Sequence, residues 1–298
     1  MQSVLECLPR ASRVAVLRLR SLGDCVLSTP ALDILKRSRP DLRLAVMVED
    51  RFRAVFEGNP DLDEILPPRL GALRRWRPLL CLNLHGGARS AWMTALSGAR
   101  YRAGFGHFRH QSVYNVRIPR AQQILGVERT VHTAEHLASA VFYLGAPITE
   151  IPRAKLVAGG TACPTRTHAI IHPFATTAGK TWAAANFLAV AQHLKQSGLE
   201  PVFIGSGGDD LSPFRPFQTI AGAPLSEIKA LIAGAALFVG NDSGPAHMAA
   251  ALGVPAVVIF TASDVAIWGP WRTSSEVVIA PAGVAQVLDA LARLRVAA

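Results

Sequence analysis

The heptapeptide NDSGPAH, Asn241–His247, lies between two apolar runs of the sequence. Residues 235–240 precede it and predict a buried strand, whereas residues 248–252 follow it and predict a helix. The heptapeptide is therefore expected to form the turn at the carboxyl end of a strand, where open α/β sheets bind their ligands. Asp242 or Ser243 is expected to cap the helix.

The start of this predicted helix is a candidate anion site. Its first N–H groups have no partner within the helix, so a phosphate is a natural ligand for them. Gly244 lets the backbone approach a phosphate closely. Ser243 offers a hydroxyl, and Asp242 offers acceptors for sugar hydroxyls. On geometry alone, an ordinary capped helix without a ligand is the simpler alternative.

Strand and helix signals alternate in two successive series, which predicts two Rossmann-like domains facing a cleft. The expected domains are residues 1–157 and 158–298, and the segment 151–167, rich in Pro, Gly, Ala and Thr, is the expected crossing. A terminal helix over 283–294 could pack back on the first domain. The segment 107–129 is polar and basic with little periodicity, which predicts a loop.

The positive charge is confined to the first half of the chain. The formal net charge is +10. Residues 1–157 contain 23 lysines and arginines against 13 aspartates and glutamates, whereas residues 158–298 contain 8 of each. Arginine binds phosphate as a planar fork. The partner of this half is therefore expected to be a phosphorylated substrate, an acidic membrane surface or nucleic acid, the alternative being a surface tuned for solubility.

Several features favour a cytoplasmic protein. The first residues lack the pattern of a cleavable signal peptide. The longest uncharged stretch, 244–263, is broken by Gly253-Val254-Pro255 and predicts helix, turn and strand rather than a membrane span. The four cysteines are far apart and form no C-x-x-C pair, which predicts reduced, packed thiols.

Three segments, read in order, carry a family resemblance. They are RLRSLGDCVLSTPAL (Arg18–Leu32), HPFATTAGKTW (His172–Trp182) and NDSGPAHMAAALGVP (Asn241–Pro255), and EGNPDLDE (Glu57–Glu64) also fits. Together they resemble the bacterial heptosyltransferases of glycosyltransferase family 9 over nearly the whole chain. The resemblance implies an α/β fold with two Rossmann-like domains facing a cleft, the glycosyltransferase B architecture.

The resemblance also implies an activity and a base. The expected reaction is inverting transfer of heptose from ADP-heptose to a phosphorylated lipopolysaccharide inner-core acceptor. Direct displacement needs a base for the acceptor hydroxyl, and a positioned carboxylate can serve. Asp24 follows Leu22-Gly23 after a strand and matches the family's proposed catalytic base. Without the resemblance, Asp24 reads as a helix N-cap.

The second domain is expected to bind the nucleotide-sugar, and in the family the matching positions contact the donor. A lysine and hydroxyl donors on the diphosphate would stabilise the charge that builds up on the leaving group. Lysine and a helix terminus can take the place of a metal, so neither a metal nor another cofactor is expected. The implied donor residues are Thr176, Thr177, Lys180, Asp242, Ser243, Gly244 and His247. For His247, a half-buried histidine bonded to the backbone is an equal alternative.

The first domain is expected to bind an anionic glycolipid acceptor, with peripheral contact to the cytoplasmic face of the inner membrane. Candidates for contacts with the acceptor or with phosphates are Arg18, Arg20, Ser21, Gly23 and His85. Nucleic acid is not expected as a partner, because the basic segments lack interleaved aromatic residues.

Some residues depart from the family pattern or suggest other readings. Thr261-Ala262-Ser263 stands where the family has Gly-Pro followed by Thr or Ser, and Ala183 replaces the proline of Lys-x-Trp-Pro.

His132-Thr133-Ala134-Glu135-His136 matches an inverted zinc-protease motif without a visible third ligand. Gly205–Gly208 lacks the dinucleotide-binding spacing. Trp182 is expected to be a packed anchor rather than a base-stacking platform. The alternatives are another donor or acceptor, a nucleotide-sugar epimerase, or a nucleic-acid-binding protein.

Overall fold

The computed structural model describes residues 2–159, 167–175, 179 and 181–294. The chain divides into two compact units, Met1–Lys155 and Leu156–Ala298. Each unit is built around its own parallel sheet. The predicted boundary at residues 157 and 158 differs from this division by two residues.

The N-terminal unit contains six strands and the helices that cover them, in the part of the chain that is described. The strands are β1 (Arg13–Leu17), β2 (Arg43–Met47), β3 (Glu64–Leu66), β4 (Leu80–Asn83), β5 (Tyr101–Phe105) and β6 (Val116–Ile118). The helices are α1 (Leu22–Leu27), α2 (Thr29–Ser38), α3 (Leu70–Trp76), α4 (Ala88–Ala95), α5 (Ala121–Leu125) and α6 (Thr133–Leu144). The strand order across the sheet is β3-β2-β1-β4-β5-β6.

The C-terminal unit repeats this plan. Its strands are β7 (His168–His172), β8 (Glu200–Gly205), β9 (Gln218–Ala221), β10 (Leu237–Asn241), β11 (Ala256–Phe260) and β12 (Ser275–Ile279). Its helices, among the described residues, are α7 (Ala184–Gln196), α8 (Leu225–Ala233), α9 (Gly244–Leu252), α10 (Val265–Trp268) and α11 (Val284–Arg293). The strand order is β12-β11-β10-β7-β8-β9.

Both sheets have the same topology when strands are counted from the start of each unit. The order is third, second, first, fourth, fifth, sixth, which is a doubly wound Rossmann order. The chain reverses direction across the sheet between the first and fourth strands, so a crevice opens there at the carboxyl ends. The N-terminal switch point is at β1 and β4, and the C-terminal one is at β7 and β10.

The central strands are apolar because helices cover both faces of the sheet. β10 and β11 are buried along their whole lengths. Gly253 ends α9 with φ of 72°, a left-handed conformation that suits glycine. The uncharged stretch 244–263 thus forms a helix, a turn and a strand, as predicted. Within the described residues, no helix has the length and apolar character needed to cross a membrane.

The buried thiols also match the prediction of packed cysteines. Burial raises the pKa of Cys25 and of Cys81 to about 12, so both remain protonated at neutral pH. Cys7 is half-buried and free, and Cys163 lies outside the described residues.

Other predictions of local structure were wrong. The segment 107–129 contains β6 and α5 rather than only a loop. β9 was missed because Gln218–Ala221 is largely exposed and lacks a long apolar run. The terminal helix α11 buries Val287, Ala290 and Leu291 in the core of its own unit, and its packing on the first domain stays a prediction.

Candidate active site

The switch point of the N-terminal unit brings together the loops that follow β1 and β4. Leu17 and Asn83 are paired in register where these strands end. The chain leaves β1 through residues 18–21 and enters α1 at Leu22, so Asp24 is the third residue of this helix. A carboxylate is stabilised there by the positive end of the helix dipole.

Two side chains hold Asp24. Nη2 of Arg18 forms an ion pair with Oδ1 of Asp24, and the Ser21 hydroxyl donates a hydrogen bond of 2.8 Å to Oδ2. Nη1 of Arg18 donates to the carbonyl of Leu84 at 2.6 Å, so the guanidinium also ties the loop after β4 to the loop after β1. The side chain of Asp24 is 22% exposed and that of Arg18 is 8% exposed. The carboxylate therefore has a fixed orientation and remains accessible to solvent.

The capping alternative for Asp24 is wrong. Ser21 is the N-cap residue of α1, and Asp24 lies three residues later. Gly23 is buried within the first turn, whereas Arg20 is exposed. The structure therefore brings Arg18, Ser21 and Asp24 into direct contact and leaves Arg20 at the surface.

His85 lies half-buried in the loop after β4. The Asn83 side chain shapes this loop, because its Oδ1 accepts the backbone N–H groups of His85 at 2.9 Å and Gly86 at 3.1 Å. Burial lowers the pKa of His85, and the positive charges of Arg18 and Arg20 lower it further. His85 is therefore neutral at neutral pH and lies in the field of Arg18, which pairs with the carboxylate, and of the exposed Arg20.

Two histidines near this site were not predicted. The His136 ring stacks on Phe105 with centroids 4.1 Å apart, and the His107 ring is 5.4 Å from that of His136. Burial lowers the pKa of His136 to about 4, and the charges of His107 and Arg18 act in the same direction. His136 is thus a neutral, stacked side chain. His136 is the last residue of the H-x-x-E-H segment, which the sequence analysis considered only as a zinc-binding motif.

The H-x-x-E-H segment is a helix-capping motif. Nδ1 of His132 accepts the backbone N–H of Ala134 at 3.1 Å. Glu135 accepts the backbone N–H of His132 at 2.8 Å and forms an ion pair with Arg129. Among the residues that the structure describes, no group of three His, Cys, Asp or Glu side chains has a metal-binding arrangement.

In the C-terminal unit, the switch point lies where β7 and β10 end, with His172 paired in register with Gly240. A Cβ on Gly240 would lie 2.7 Å from the backbone carbonyl of His172, so only glycine allows this approach. The next residue, Asn241, is fully buried. Its Oδ1 accepts the N–H of Trp182 at 3.0 Å, and its Nδ2 donates to the carbonyl of Pro173 at 2.8 Å. Asn241 therefore fixes both ends of the segment that follows β7.

Ser243 occupies the N-cap position of α9, but its side chain makes no capping hydrogen bond. Of the two predicted cap residues, Ser243 therefore holds the cap position without using its side chain. Its Oγ lies 3.1 Å from Nδ1 of His172, with the donor set by the histidine tautomer. Burial lowers the pKa of His172 to about 4, so this is a contact between neutral groups at neutral pH. Gly244 follows as the first residue of α9.

Asp242 and His247 lie together beside the same helix start. Nε2 of His247 is 3.9 Å from Oδ1 of Asp242, and their side chains are 5% and 10% exposed, respectively. The His247 ring is also 6.3 Å from the ring of Trp268. The two predicted donor residues are thus neighbours in a nearly closed environment.

The remaining predicted donor residues, Thr176, Thr177 and Lys180, lie outside the described residues. At Gly179 the backbone carbonyl accepts a hydrogen bond of 3.0 Å from the hydroxyl of Thr261. Thr261 is one of the residues that depart from the family pattern, so this departure supplies a contact to the segment after β7.

Trp182 confirms its prediction as a packed anchor. Its side chain is buried and packs edge-on against Phe187 with ring centroids 5.0 Å apart. Its indole N–H donates to the carbonyl of Ala282 at 2.8 Å. The positioning roles of Asn241 and His172 were missed, because their partners lie 59 and 71 residues away along the chain, respectively.

The chain is similar to known proteins in sequence and in structure. The family model of glycosyltransferase family 9 (heptosyltransferase) matches residues 72–294. Lipopolysaccharide heptosyltransferase 3 of Escherichia coli strain K12 is 27% identical over 288 residues, which cover 85% of this chain and 83% of that protein.

Two solved structures have the same fold. The glycosyl transferase family 9 protein from Veillonella parvula DSM 2008 aligns with a TM-score of 0.83 at 20% identity, covering 96% of this chain and 97% of that one. The E. coli ADP-heptose lps heptosyltransferase II aligns with a TM-score of 0.79 at 19% identity, covering 95% and 98%. The predicted α/β fold class is confirmed by these likenesses and by the two parallel sheets. Because the family model matches most of its length, the chain belongs to glycosyltransferase family 9, the heptosyltransferases, and is a glycosyltransferase.

Proposed function

We propose that this protein transfers heptose from ADP-heptose to a phosphorylated lipopolysaccharide inner-core acceptor, with inversion at the anomeric carbon. The observation that carries the proposal is the carboxylate of Asp24, held by Arg18 and Ser21 at the first switch point of a family 9 chain. The similar E. coli proteins, named lipopolysaccharide heptosyltransferase 3 and ADP-heptose lps heptosyltransferase II, support this donor and this class of acceptor.

In the proposed reaction, Asp24 is the general base. The acceptor hydroxyl gives its proton to the Asp24 carboxylate while its oxygen forms a bond to the anomeric carbon of the heptose. The bond from that carbon to the diphosphate breaks with its electron pair, and ADP leaves. A single displacement of this kind inverts the anomeric centre. Arg18 and Ser21 act by fixing the two carboxylate oxygens, which lowers the cost of orienting the base.

The donor diphosphate is proposed to bind at the start of α9. Backbone N–H groups there carry the positive end of the helix dipole, and Ser243 and Gly244 lie at that end. Thr176, Thr177 and Lys180 are proposed to add hydroxyl and ammonium donors to the leaving group. Asp242 and His247 complete the proposed donor set. The helix dipole and the ammonium group of Lys180 can stabilise the departing diphosphate without a metal.

The acceptor is proposed to bind the N-terminal unit. Arg20 is exposed and His85 is half-buried beside the Asp24 site, so both suit contacts with an anionic acceptor. Arg18 uses both of its terminal nitrogens on Asp24 and on the Leu84 carbonyl, which favours a positioning role. Gly23, buried in the first turn of α1, is also proposed to position the site instead of contacting the acceptor. We place this reaction at the cytoplasmic face of the inner membrane, where a glycolipid acceptor would be presented.

Thermal melting with nucleoside diphosphates tests the donor site. A ligand at a hundred times its dissociation constant stabilises the folded state by about 2.7 kcal/mol. We expect ADP, but not UDP, GDP or CDP, to raise the melting temperature, and we expect Lys180→Ala to weaken the rise. Lys195→Ala, which removes a half-exposed lysine of α7, is the matched control and should behave as wild type.

An ADP-heptose assay then tests transfer. We expect a heptosylated acceptor and ADP as products, with turnover dependent on the acceptor. A melting response to another nucleotide would contradict the proposed donor. Conversion of the nucleotide-sugar without any acceptor would show an epimerase instead of a transferase.

A further inference from the structure

The sequence between Ile65 and Val127 has a charge pattern unlike the rest of the chain. It contains ten arginines and no aspartate or glutamate. This number equals the formal net charge of the whole protein, +10. Nine of the ten arginines are exposed, the exception being the half-buried Arg102. The positive potential of the N-terminal unit therefore arises mainly from this one stretch, which includes α3 and α4.

Helices α3 and α4 cover the same side of the sheet. Leu73 and Trp76 from α3 and Met93 from α4 are buried in a single apolar cluster. The side chains that point away from this cluster form a common outer surface, which we call the α3–α4 face. It is defined by the exposed residues Arg69, Arg74, Arg75, Arg77, Arg89, Trp92, Leu96 and Arg100.

The centre of the α3–α4 face is apolar and aromatic. Trp92 is 62% exposed and Leu96 is 46% exposed. With Arg89 they occupy positions i, i+3 and i+7, so the three side chains share one side of α4. All five tryptophans are described by the structure, and Trp92 is the exposed one. Exposed apolar side chains that lie next to one another are typical of an interaction surface.

Arginines lie on two sides of this apolar centre. Nε of Arg74 donates to the backbone carbonyl of Leu96 at 2.8 Å, which places its guanidinium beside the apolar pair. Arg74 and Arg77 line one surface depression with Ser97 and Gly98 at the end of α4. At the start of α4, Arg89 is 60% exposed, and its ion pair with Glu49 is long, at 3.8 Å.

We propose that the α3–α4 face binds the surface of a bilayer that contains anionic phospholipids. Trp is favoured at the boundary between lipid headgroups and acyl chains, and Leu adds apolar area below it. Arginine guanidinium groups pair with lipid phosphates, while their apolar stems lie along the boundary. The apolar pair with its flanking arginines, Arg74 and Arg89, matches this layered chemistry.

The position of the face suits the reaction. α4 begins directly after the His85–Gly87 loop, so its first turn lies at the carboxyl edge of the sheet, beside the Asp24 site. A bilayer against this face would bring a lipid-anchored acceptor close to that edge. This inference rests on the proposed glycolipid acceptor for its biological meaning, although membrane binding itself is measured without any acceptor.

Co-sedimentation with vesicles tests the proposal on the full chain. We expect binding to equimolar phosphatidylcholine and phosphatidylglycerol, little binding to phosphatidylcholine alone, and weakening with added salt. Each basic residue near an anionic surface contributes enough that Arg74→Glu with Arg75→Glu should lower the partition coefficient by at least about tenfold. Trp92→Ser with Leu96→Ser should give a loss of similar size.

Matched controls distinguish binding by the α3–α4 face from non-specific electrostatic or hydrophobic binding elsewhere on the protein. Tyr143→Ser with Ile148→Ser removes two exposed apolar side chains elsewhere, and Arg10→Glu with Arg215→Glu reverses two exposed arginines outside the face. Both controls should bind like wild type. In vesicles with brominated acyl chains, tryptophan fluorescence should be quenched in wild type, and the quenching should be lost in Trp92→Phe.

Several results would overturn the proposal. These are equal binding to neutral and anionic vesicles, wild-type binding by both face variants, no quenching of Trp92, or binding to oligonucleotides with none to vesicles. The melting response to ADP and transfer to a deacylated, soluble acceptor are measured on the same variants. Both should stay at wild-type levels, so loss of membrane binding is distinguishable from failure of the proposed transfer.

Discussion

The fourth strand of each unit ends on a fully buried asparagine, Asn83 in β4 and Asn241 in β10, yet the two side chains make different contacts. Asn83 shapes the turn that directly follows it, through the N–H groups of His85 and Gly86. Asn241 reaches across the switch point to the segment after β7, between Pro173 and Trp182. The side-chain oxygen of Asn83 thus orders the loop after its own strand, whereas Asn241 ties its strand to the segment after β7.

The charged groups at the two switch points differ in the same way. In the N-terminal unit, the buried Arg18 bridges both loops and pairs with Asp24. In the C-terminal unit, the bridge is a contact between Ser243 and the neutral His172. The comparison suggests that two equivalent scaffolds are specialised, one for a proton-accepting carboxylate and the other for an anionic donor.

The largest expected effect comes from removing the carboxylate. Asp24→Asn should lower kcat for heptosyl transfer by about a thousandfold, because general base catalysis contributes between about a hundred- and ten-thousandfold. Ser21→Ala, which removes only the 2.8 Å hydrogen bond, should cause a much smaller loss. The control is Asp41→Asn, which removes an ion pair with Arg39 and should retain wild-type turnover. Turnover of Asp24→Asn within tenfold of wild type would refute the assignment.

The second effect concerns stability and distinguishes the two asparagines. Asn241→Ala leaves the N–H of Trp182 and the carbonyl of Pro173 without their buried partner, so the free energy of unfolding should fall by about 2–4 kcal/mol. Binding of ADP should weaken as well, since both ends of the donor segment are released. Asn83→Ala should destabilise the protein by a similar amount and leave ADP affinity unchanged. Denaturant titration and calorimetry measure the two quantities; equal loss of ADP affinity in both variants would contradict the comparison.

Acid should weaken both units. The pKa of His172 and of His136 is lowered to about 4 by burial, whereas an unfolded histidine titrates near 6.5. Above pH 6.5 both histidines are neutral in either state and their contribution is complete. As the pH falls from 6.5 to 4 the unfolded chain takes up protons first, so each histidine should cost on the order of 2 kcal/mol of stability after allowance for partial exposure.

The pH dependence of denaturant midpoints measures this loss. His136→Phe, which keeps an aromatic ring against Phe105, should make the dependence on pH shallower. His193→Ala changes an exposed histidine of α7 and should leave the pH dependence as in wild type. A midpoint that stays constant between pH 6.5 and 4 would exclude buried neutral histidines.

The smallest effects are the loss of single hydrogen bonds. Ser243→Ala should raise the Kd for ADP about fivefold, as expected for one hydrogen bond of about 1 kcal/mol. His132→Ala should lower the free energy of unfolding by about 1 kcal/mol, because it removes the side-chain cap of α6. Added Zn²⁺ should not change the stability of wild type or of His132→Ala. If Zn²⁺ stabilised wild type but not His132→Ala, the zinc interpretation would be restored.

Much of the fold follows from local patterns in the sequence. Buried strands such as β10 and β11 are short apolar runs, and the turn at Asn241–His247 was placed correctly between a strand and a helix. β6 and β9 were missed because three- and four-residue strands with exposed side chains have no distinct periodicity. Their existence depends on pairing with a neighbouring strand, which local sequence does not reveal.

The sequence indicated where the candidate site residues lie in the fold, but not which contacts they make. Asp24, Ser243 and Gly244 stand at strand-to-helix connections, as the sequence indicated. Ser243 was one of the two predicted cap residues, but its hydroxyl contacts His172, which is distant in sequence, instead of the helix backbone. Asn241 belongs to the heptapeptide Asn241–His247, but its role depends on a hydrogen bond with Trp182, 59 residues away. Such a distant contact is visible only in the folded structure.

Titration of ADP into wild type, Asp24→Asn and Asn241→Ala by calorimetry tests the division of roles between the two units most directly. The account predicts an unchanged Kd for Asp24→Asn, because that carboxylate belongs to the acceptor side. It predicts a Kd at least about tenfold higher for Asn241→Ala, since two buried hydrogen bonds position the donor segment. Weakened ADP binding in Asp24→Asn together with wild-type binding in Asn241→Ala would contradict the account.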